Sequence, residues 1–284
     1  MISIRDLSFR YRGRETYALS KINLEIPDGE FLGIIGPGGA GKSTLVCAVN
    51  GVVPHHHSGD FYGEVIVEGH DTAEAGPETI ARCTGSVFQD IDGQMTASVV
   101  EDEILFGLEN FGVPREEMEA RMEEALGAVG IRDLRERGVH SLSGGQKQKV
   151  IIAAVIALRP RIMLLDEATG ELDPVSSRGI FEFLRRLNGE YGITIIAVEQ
   201  KIMLLCEFVK RLAVMDGGRV ILQGGVKEVL QHAETLEEAG VNIPRVTTLA
   251  RRLKSGGLYG GELPWNLPIA CRMMRDIVHG HTAL

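Results

Sequence analysis

The chain has few cysteines and few aromatic residues, no long hydrophobic run and no excess of positive charge. Its four cysteines lie far apart, which disfavours a disulfide framework or a zinc site and favours reduced thiols. The longest apolar runs, such as residues 150–158, are shorter than the ~20 residues that cross a bilayer. No basic and apolar leader opens the chain, so no signal peptide is expected. A net charge of −9 disfavours nucleic-acid partners, which need a basic face.

Apolar runs bounded by Gly, Pro and Asp alternate with helical patterns along most of the chain. Such alternation is typical of an α/β fold with a parallel sheet covered on both faces. We predict strands at residues 2–11, 19–26, 31–35, 63–69, 85–88, 161–165, 193–198, 211–216 and 219–223. The predicted helices are residues 115–129, 143–158 and 174–191.

The composition changes after about residue 225, where the strand patterns stop. Residues 227–253 are predicted to be helical with a break at 240–244, and the Gly- and Pro-rich stretch 255–268 is predicted to be a loop. The sequence therefore predicts two parts: a domain at residues 1–225 and a small helical region at 226–284.

A glycine-rich loop follows the apolar strand at residues 31–35 and precedes a helical pattern. It reads GPGGAGKST and matches the phosphate-binding pattern G-x-x-x-x-G-K-[ST] in its required context. Backbone N–H groups of such a loop surround phosphates, and the helix N-terminus adds partial positive charge. A chance glycine-rich turn is the alternative, but the flanking elements disfavour it. The predicted nucleotide-binding residues are Gly36, Pro37, Gly38, Gly39, Ala40, Gly41, Lys42, Ser43 and Thr44.

Two acids end the apolar strand at residues 161–165. Asp166 is expected to hold Mg²⁺, together with the hydroxyl of Ser43. Glu167 is expected to act as the general base that polarises the attacking water. An apolar strand ending in Asp-Glu is a weak signal alone, because many buried strands end in acids, but with the phosphate loop it is a strong one. Lys42 is expected to reach the β- and γ-phosphates.

A third motif, LSGGQ at residues 142–146, opens a helical pattern with a Ser-Gly-Gly turn. An ordinary helix capped by Ser143 is the local alternative. GPGGAGKST, LSGGQ and IMLLDE, in this order, resemble the nucleotide-binding subunits of ABC transporters over residues 1 to about 225. The resemblance implies a P-loop NTPase, ABC-type ATPase domain with antiparallel β and helical subdomains, and ATP and Mg²⁺ as its ligands.

The same resemblance implies a head-to-tail dimer in which each ATP is held by both subunits. The signature of one subunit would contact the ATP of the other through Ser143, Gly144, Gly145 and Gln146. Tyr11 matches the aromatic residue that stacks on adenine, although an ordinary strand-edge tyrosine is the alternative. Gln89 matches the glutamine that senses Mg²⁺ and the γ-phosphate, and Asp173 matches a loop that communicates between the two sites.

Other stretches resemble the energy-coupling-factor branch, the ATPases of vitamin and metal-ion importers; they are residues 50–72, 87–95, 99–110 and 234–253. This implies a peripheral protein on the cytoplasmic face of the membrane, with a separate substrate-binding membrane subunit. A transmembrane subunit would dock near Gln89, Gln94 and Phe106, and the C-terminal helices would help to hold the ATPase dimer. For Met95 and Phe106, core packing is the alternative.

Three consecutive histidines, His55–His57, raise the question of a transition-metal site, because neutral imidazoles bind such ions. Adjacent loop residues rarely converge on one ion without further ligands. We therefore expect a solvated loop there.

The strand at residues 193–198 ends abruptly in three polar residues, Glu199, Gln200 and Lys201. Ligands of open α/β sheets bind at such strand ends. By the resemblance, position 200 usually carries a histidine that contacts the γ-phosphate and the attacking water. Gln200 is a neutral donor and acceptor that can orient water but cannot carry positive charge. We expect hydrolysis that is slow or depends on a partner ATPase, in a homodimer or a heterodimer.

Two other functions remain as alternatives. One is a non-catalytic ATP-dependent clamp or regulatory subunit, which the glutamine at position 200 would suit. The other is an ABC-type ATPase that acts on DNA or the ribosome. Against the second, only about a hundred residues separate the phosphate loop from LSGGQ, too few for long coiled coils. The chain also has one ATPase domain and an acidic balance.

Overall fold

Strands and helices alternate along the chain in a computed structural model that describes residues 1–281. The strands are β1 Ile2–Tyr11, β2 Leu19–Ile26, β3 Phe31–Ile35, β4 Gly59–Val67, β5 His70–Asp71, β6 Thr84–Val87, β7 Ile162–Asp166, β8 Thr194–Val198, β9 Arg211–Asp216 and β10 Arg219–Gly225. The helices are α1 Lys42–Val49, α2 Val52–His55, α3 Pro77–Ala81, α4 Val100–Asn110, α5 Arg115–Val129, α6 Gly144–Ala157, α7 Pro174–Tyr191, α8 Ile202–Phe208, α9 Val226–Gln231, α10 Ala233–Glu238, α11 Arg245–Ser255 and α12 Leu267–His281.

The strands form two sheets. The larger has the order β10-β9-β3-β8-β7-β6, and all its neighbours are parallel except β10 and β9. The smaller, β2-β1-β4-β5, is antiparallel. Because β8 lies between β3 and β7, the carboxyl ends of these three strands meet at one edge of the sheet. The expected α/β class with an antiparallel sheet and a helical part is confirmed.

Each central strand divides its side chains between two cores, because successive side chains of a strand point to opposite faces. On β7, Met163 and Leu165 belong to a core shared with α4 to α8, whereas Ile162 and Leu164 belong to a core shared with α1 and the antiparallel sheet. The parallel strands are thus buried on both faces, which explains their continuous apolar sequences.

Most predicted elements are confirmed to within two residues, but β4 begins at Gly59 instead of 63. Its first half pairs with β1, from Tyr11 opposite Gly59 to Ser8 opposite Tyr62. The register then shifts at a bulge, where Gly63 has a φ of 87°. A polar, glycine-containing bulge hides a strand from an alternation pattern.

The C-terminal part is helical from Val226, immediately after β10. The predicted break at 240–244 lies between α10 and α11, but a second break was not predicted, because the backbone of His232 leaves the helical region between α9 and α10. Leu236 and Val241 join the larger core of the preceding strands and helices. No helix among residues 1–281 is long and apolar enough to cross a membrane.

Candidate nucleotide site

The phosphate loop follows β3 and packs against backbone atoms of Ala18 and Gly218. Gly41 caps α1 in a left-handed conformation, with a φ of 97°. A Cβ atom there would lie 2.5 Å from the carbonyl oxygen of Ala18, and one on Gly218 would lie 2.8 Å from the same oxygen. Gly218 N–H also donates to Ala40 O at 3.2 Å. The loop therefore rests on the turn between β9 and β10 and on the start of β2.

Lys42 is the buried cation of this loop, with a relative exposure of 6%. Its Nζ donates to the carbonyl oxygens of Gly36 and Pro37, at 2.9 and 2.8 Å. The ammonium thus lies inside the loop, where a triphosphate would lie against the same turn.

Tyr11 ends β1 beside the phosphate loop. Its hydroxyl lies 3.1 Å from Thr44 Oγ1, and its ring contacts that of His57 edge-on, with 6.0 Å between centroids. An open groove of about 610 Å³, lined by residues 10–15 and 58–60, lies alongside. Tyr11 thus lies beside the phosphate loop at the edge of an open groove, and its adenine-stacking role remains a prediction.

Asp166 ends β7 as a buried acid, with a relative exposure of 4%. Burial raises the pKa of its carboxyl and the charge of Glu167 adds to this, whereas a hydrogen bond with Ser43 and the charge of Lys42 oppose it. Among the described residues, Asp166 Oδ1 has no hydrogen-bond partner. A buried carboxylate oxygen without a partner, beside a serine hydroxyl, fits the hard oxygen ligands that Mg²⁺ prefers.

Glu167 has a left-handed backbone, with a φ of 54°, which is uncommon for a residue with a side chain. Gln200 Nε2 donates to both of its carboxylate oxygens, at 3.0 and 2.9 Å. Such strain is held by surrounding contacts and is enriched at active sites. Gln200, just beyond the end of β8, therefore holds the carboxylate of the residue that directly follows β7.

A cavity of about 370 Å³ opens in front of this pair. Gln89 lines it as an exposed side chain, and its role in sensing Mg²⁺ remains a prediction. Gln148 of α6 also lines it and was not predicted to be at the site. Gln148 is 2% exposed, and its Oε1 has no hydrogen-bond partner among the described residues. Its only sequence signal is its position two residues after the signature.

The signature forms the N-terminus of α6. Ser143 Oγ accepts a hydrogen bond from Gln146 N at 3.3 Å, and Gln146 Oε1 accepts one from Ser143 N at 2.9 Å. This reciprocal pair is a capping box, so Ser143 does cap the helix, as the local alternative held. Gly144 and Gly145 are the first residues of the helix, and their contact with a partner's ATP remains a prediction.

Glu199 and Lys201, which flank Gln200, were given no role from the sequence. Glu199 is 3% exposed and accepts hydrogen bonds from Thr169 N and Oγ1. Lys201 Nζ donates to the carbonyl oxygens of Thr169 and Leu172 and to Ser177 Oγ. Their partners lie 24 to 32 residues away. No local pattern in the sequence could reveal these contacts.

We predict a pH-dependent stability from Glu199, because burial raises the pKa of its carboxyl to about 7 from an ordinary 4.5. The folded chain then binds this proton more tightly than the unfolded chain, so the stability falls as the pH rises from 4.5 to 7. Relative to Glu199→Gln, the wild-type free energy of unfolding should fall by about 2 to 3 kcal/mol between pH 5 and pH 8. Urea unfolding at both pH values measures the difference, and an equal difference at the two would contradict the prediction.

The surface expected to receive a membrane subunit has one strongly exposed aromatic. Phe106 on α4 is 50% exposed, so the core-packing alternative is wrong for it, whereas Met95 does pack against the larger core. The Gln94 side chain bonds to Phe88 N at 2.8 Å and Ser86 O at 3.2 Å, so it braces its own loop.

The three histidines lie at and after the end of α2 and are exposed. His55 Nε2 lies 2.9 Å from the carbonyl oxygen of Thr72. Within the described part of the chain, no group of three or more His, Cys, Asp or Glu side chains could hold a metal ion.

Comparisons with known proteins identify the family. The ABC transporter family model matches residues 19–170. A putative ABC transporter ATP-binding protein of Pyrococcus abyssi is 42% identical over 258 residues, covering 91% of this chain and 92% of that protein. The energy-coupling factor transporter ATP-binding protein EcfA1 of Caldanaerobacter subterraneus subsp. tengcongensis is 39% identical over 262 residues, covering 91% and 92%.

Solved structures with the same fold include CbiO1 of Clostridium perfringens, part of an ABC transporter complex named CbiONQ. It is 34% identical, with a TM-score of 0.71, over 87% of this chain and 97% of that one. A bacterial ABC transporter cassette solved as a dimer is 28% identical, with a TM-score of 0.71, over 80% and 99%. The chain therefore belongs to the ABC transporter family, and it carries that family's ATP-binding domain.

Proposed function

We propose that the protein is the ATP-binding subunit of an energy-coupling-factor importer, which couples ATP binding and hydrolysis to uptake of a vitamin or a metal ion. The arrangement that carries this proposal is the meeting of the phosphate loop, Asp166, Glu167 and Gln200 at one sheet edge. The similarity to EcfA1 and to CbiO1 supports the branch. The protein would lie on the cytoplasmic face of the membrane.

In the proposed site, each part of the triphosphate has a matching group of the protein. Lys42 would exchange its two carbonyl contacts for the β- and γ-phosphates. Ser43, Gln89 and Asp166 would hold Mg²⁺, which neutralises charge on the β- and γ-phosphate oxygens. Tyr11 would stack on the adenine, and the backbone of residues 36–41 would surround the phosphates.

Glu167 would be the catalytic base of the proposed reaction. Its carboxylate would accept the proton of the water that attacks the γ-phosphate. Gln200 holds that carboxylate with its amide N–H groups, and its amide oxygen would remain available to orient the water. Such an amide supplies no positive charge to the transferring phosphate, which would make hydrolysis slow unless a partner ATPase supplies a complete site.

The proposed assembly is a head-to-tail dimer in which α6 of one subunit completes the site of the other. The dimeric structure of a related cassette supports this arrangement. Asp173 would communicate between the two sites, and the C-terminal region at residues 226–284, whose last three residues lie outside the described part of the chain, would form a separate dimerisation region beside the ATPase domain of residues 1–225. The exposed side chains of Gln89 and Phe106 would face a transmembrane subunit, and the cargo would bind a further membrane subunit.

Mixing two inactive variants tests the composite site. Lys42→Ala removes a subunit's phosphate contact, and Ser143→Arg removes its signature, so neither homodimer keeps an intact site. A mixed dimer keeps one, and an equal mixture should recover about a quarter of the wild-type turnover, because half the dimers are mixed and each has one of two sites. If the mixture stays inactive while the wild-type protein hydrolyses ATP, the head-to-tail dimer is excluded.

Transport itself is tested in the source organism. Replacing the chromosomal copy with Lys42→Ala should abolish uptake of a labelled vitamin or of cobalt or nickel, with uptake of an unrelated amino acid as the control. The non-catalytic clamp, which Gln200 favours, predicts that the purified protein binds ATP and dimerises without turnover. Unchanged uptake of every vitamin and metal ion tested would refute the importer proposal.

A further inference from the structure

Residues 168–172, here called the linking segment, connect Glu167 to Asp173. In the proposed dimer these two residues serve different tasks, since Glu167 acts on its own subunit's ATP and Asp173 lies in the loop between the two sites. Asp173 also caps α7, accepting hydrogen bonds from Val175 N and Ser176 N at 3.0 Å each. The position of the linking segment therefore determines how the catalytic base and the start of α7 are placed relative to each other.

The buried carboxylate of Glu199 holds the middle of the linking segment. Its Oε1 accepts hydrogen bonds from the backbone N–H of Thr169 at 3.0 Å and from the Thr169 hydroxyl at 2.8 Å. Thr169 is 1% exposed, so both contacts are shielded from water. Breaking them would leave buried donors without a partner, which is costly.

The ammonium of Lys201 holds the carbonyl side of the same segment. Its Nζ donates to Thr169 O at 2.6 Å, to Leu172 O at 2.8 Å and to Ser177 Oγ at 3.0 Å. Three acceptors match the three donors of an ammonium. Because Ser177 belongs to α7, this one side chain connects the linking segment to the helix that Asp173 caps.

The residue between them, Gln200, holds the residue that directly precedes the segment, since it donates to both carboxylate oxygens of Glu167. Three consecutive residues at the tip of β8 thus contact the catalytic carboxylate, the backbone amide of the segment and its backbone carbonyls. A segment with a purely structural role needs only to be packed. Here Glu199 holds a backbone N–H of the segment and Lys201 holds its backbone carbonyls, so the two residues also fix where the segment lies.

We propose that Glu199 and Lys201 are positioning residues, which hold the linking segment so that Glu167 and Asp173 are correctly placed at the two composite sites. This inference rests on the proposed function, because it needs a dimer that hydrolyses ATP. The partners of the two side chains lie on the segment and on α7, apart from the phosphate loop. Loss of either is therefore expected to change the catalytic step more than ATP binding.

The test compares variants that remove these hydrogen bonds with one that keeps them. Lys201→Met keeps the aliphatic stem and removes all three donors, and Glu199→Leu removes the acceptor. Each should lower kcat by about 10- to 100-fold, as displacement of a reacting group by about 1 Å does. The KM for ATP should stay within about twofold, because Lys42 and Tyr11 are untouched. Glu199→Gln keeps the accepting oxygen and should recover most of the kcat lost in Glu199→Leu.

A second measurement reads the dimer without turnover. In a Glu167→Gln background, Lys201→Met should weaken ATP-driven dimerisation by roughly 3- to 30-fold, the usual range of coupling through such contacts. Lys210→Met changes an exposed lysine and serves as the control. If Lys201→Met does not fold, Thr169→Val removes only the hydroxyl that donates to Glu199 and should still lower kcat with KM unchanged.

The outcomes separate the two proposals. ATP-driven dimers with unchanged kcat and dimerisation in both Lys201→Met and Glu199→Leu would overturn the positioning role and leave the proposed function standing. A rise in KM by the same factor as the fall in kcat would indicate a general structural defect and would also overturn the positioning role. The absence of both turnover and ATP-driven dimers in the protein without these changes would overturn the proposed function, and the positioning role with it.

Discussion

Glu167→Gln is expected to lower ATP turnover by about 10²- to 10⁴-fold, the usual contribution of a general base. ATP binding should be retained, because Lys42, Ser43 and the loop backbone are unchanged. The substituted side chain has nearly the same shape and can occupy the left-handed backbone position as the glutamate does. Without hydrolysis, dimers with ATP bound should accumulate. Steady-state turnover, equilibrium ATP binding and size-exclusion chromatography with ATP measure the three effects.

Glu190→Gln is a matched control for this substitution, because Glu190 is an exposed glutamate on α7. It should leave turnover unchanged. If Glu167→Gln kept more than about a tenth of the wild-type turnover, the proton acceptor would be another group, because a true general base contributes at least about 10²-fold. Loss of ATP binding together with turnover would instead indicate that the carboxylate supports the phosphate loop.

Gln200→His is expected to raise turnover, by up to about 10²-fold, comparable to the contribution of one preorganised donor. In the wild-type protein, the amide of Gln200 is engaged with both oxygens of Glu167. An imidazole can carry positive charge near the transferring phosphate, which a neutral amide cannot. The gain should appear in kcat, with the KM for ATP nearly unchanged. Single-turnover kinetics would separate the chemical step from product release.

Gln200→Ala is the informative companion, because it removes the contact with Glu167 without adding an imidazole. If both variants fall below the wild type, Gln200 is a working substitute that orients the carboxylate and the water, and the site needs no histidine. A rise in the histidine variant and a fall in the alanine variant would show that the glutamine contributes less than a histidine would. A rise in both would mean that the amide restrains Glu167.

The fold was predictable where the signal is local. β3, the glycine-rich loop and α1 are contiguous, and Asp166 directly follows an apolar run, so the sequence alone placed them. The first half of β4 was missed because its pairing depends on β1, some fifty residues away along the chain, and not on its own polar sequence. The break at His232 was missed because it is set by backbone geometry that no Gly or Pro marks.

The candidate site divides in the same way. Motif residues such as Lys42 and Glu167 are found from short patterns, whereas Gln148, Glu199 and Lys201 reach the site only through tertiary contacts. The strand-end position of Glu199 and Lys201 was visible in the sequence, but their partner Thr169 was not. Single-chain patterns therefore recover the groups proposed to contact ATP better than the groups that hold them in position.

The carbonyl of Ala18 touches the positions where Gly41 and Gly218 would carry side chains. Ala18 directly precedes β2, and its N–H donates to the carbonyl oxygen of Phe9 on β1 at 2.8 Å, two residues before Tyr11, whereas Gly41 caps the helix that follows the phosphate loop. Main-chain atoms thus connect the end of β1 that carries Tyr11 to the start of α1. The spacing between Tyr11 and the phosphate loop is consequently set by the backbone. Side-chain substitutions around Tyr11 can change its contacts without changing that spacing.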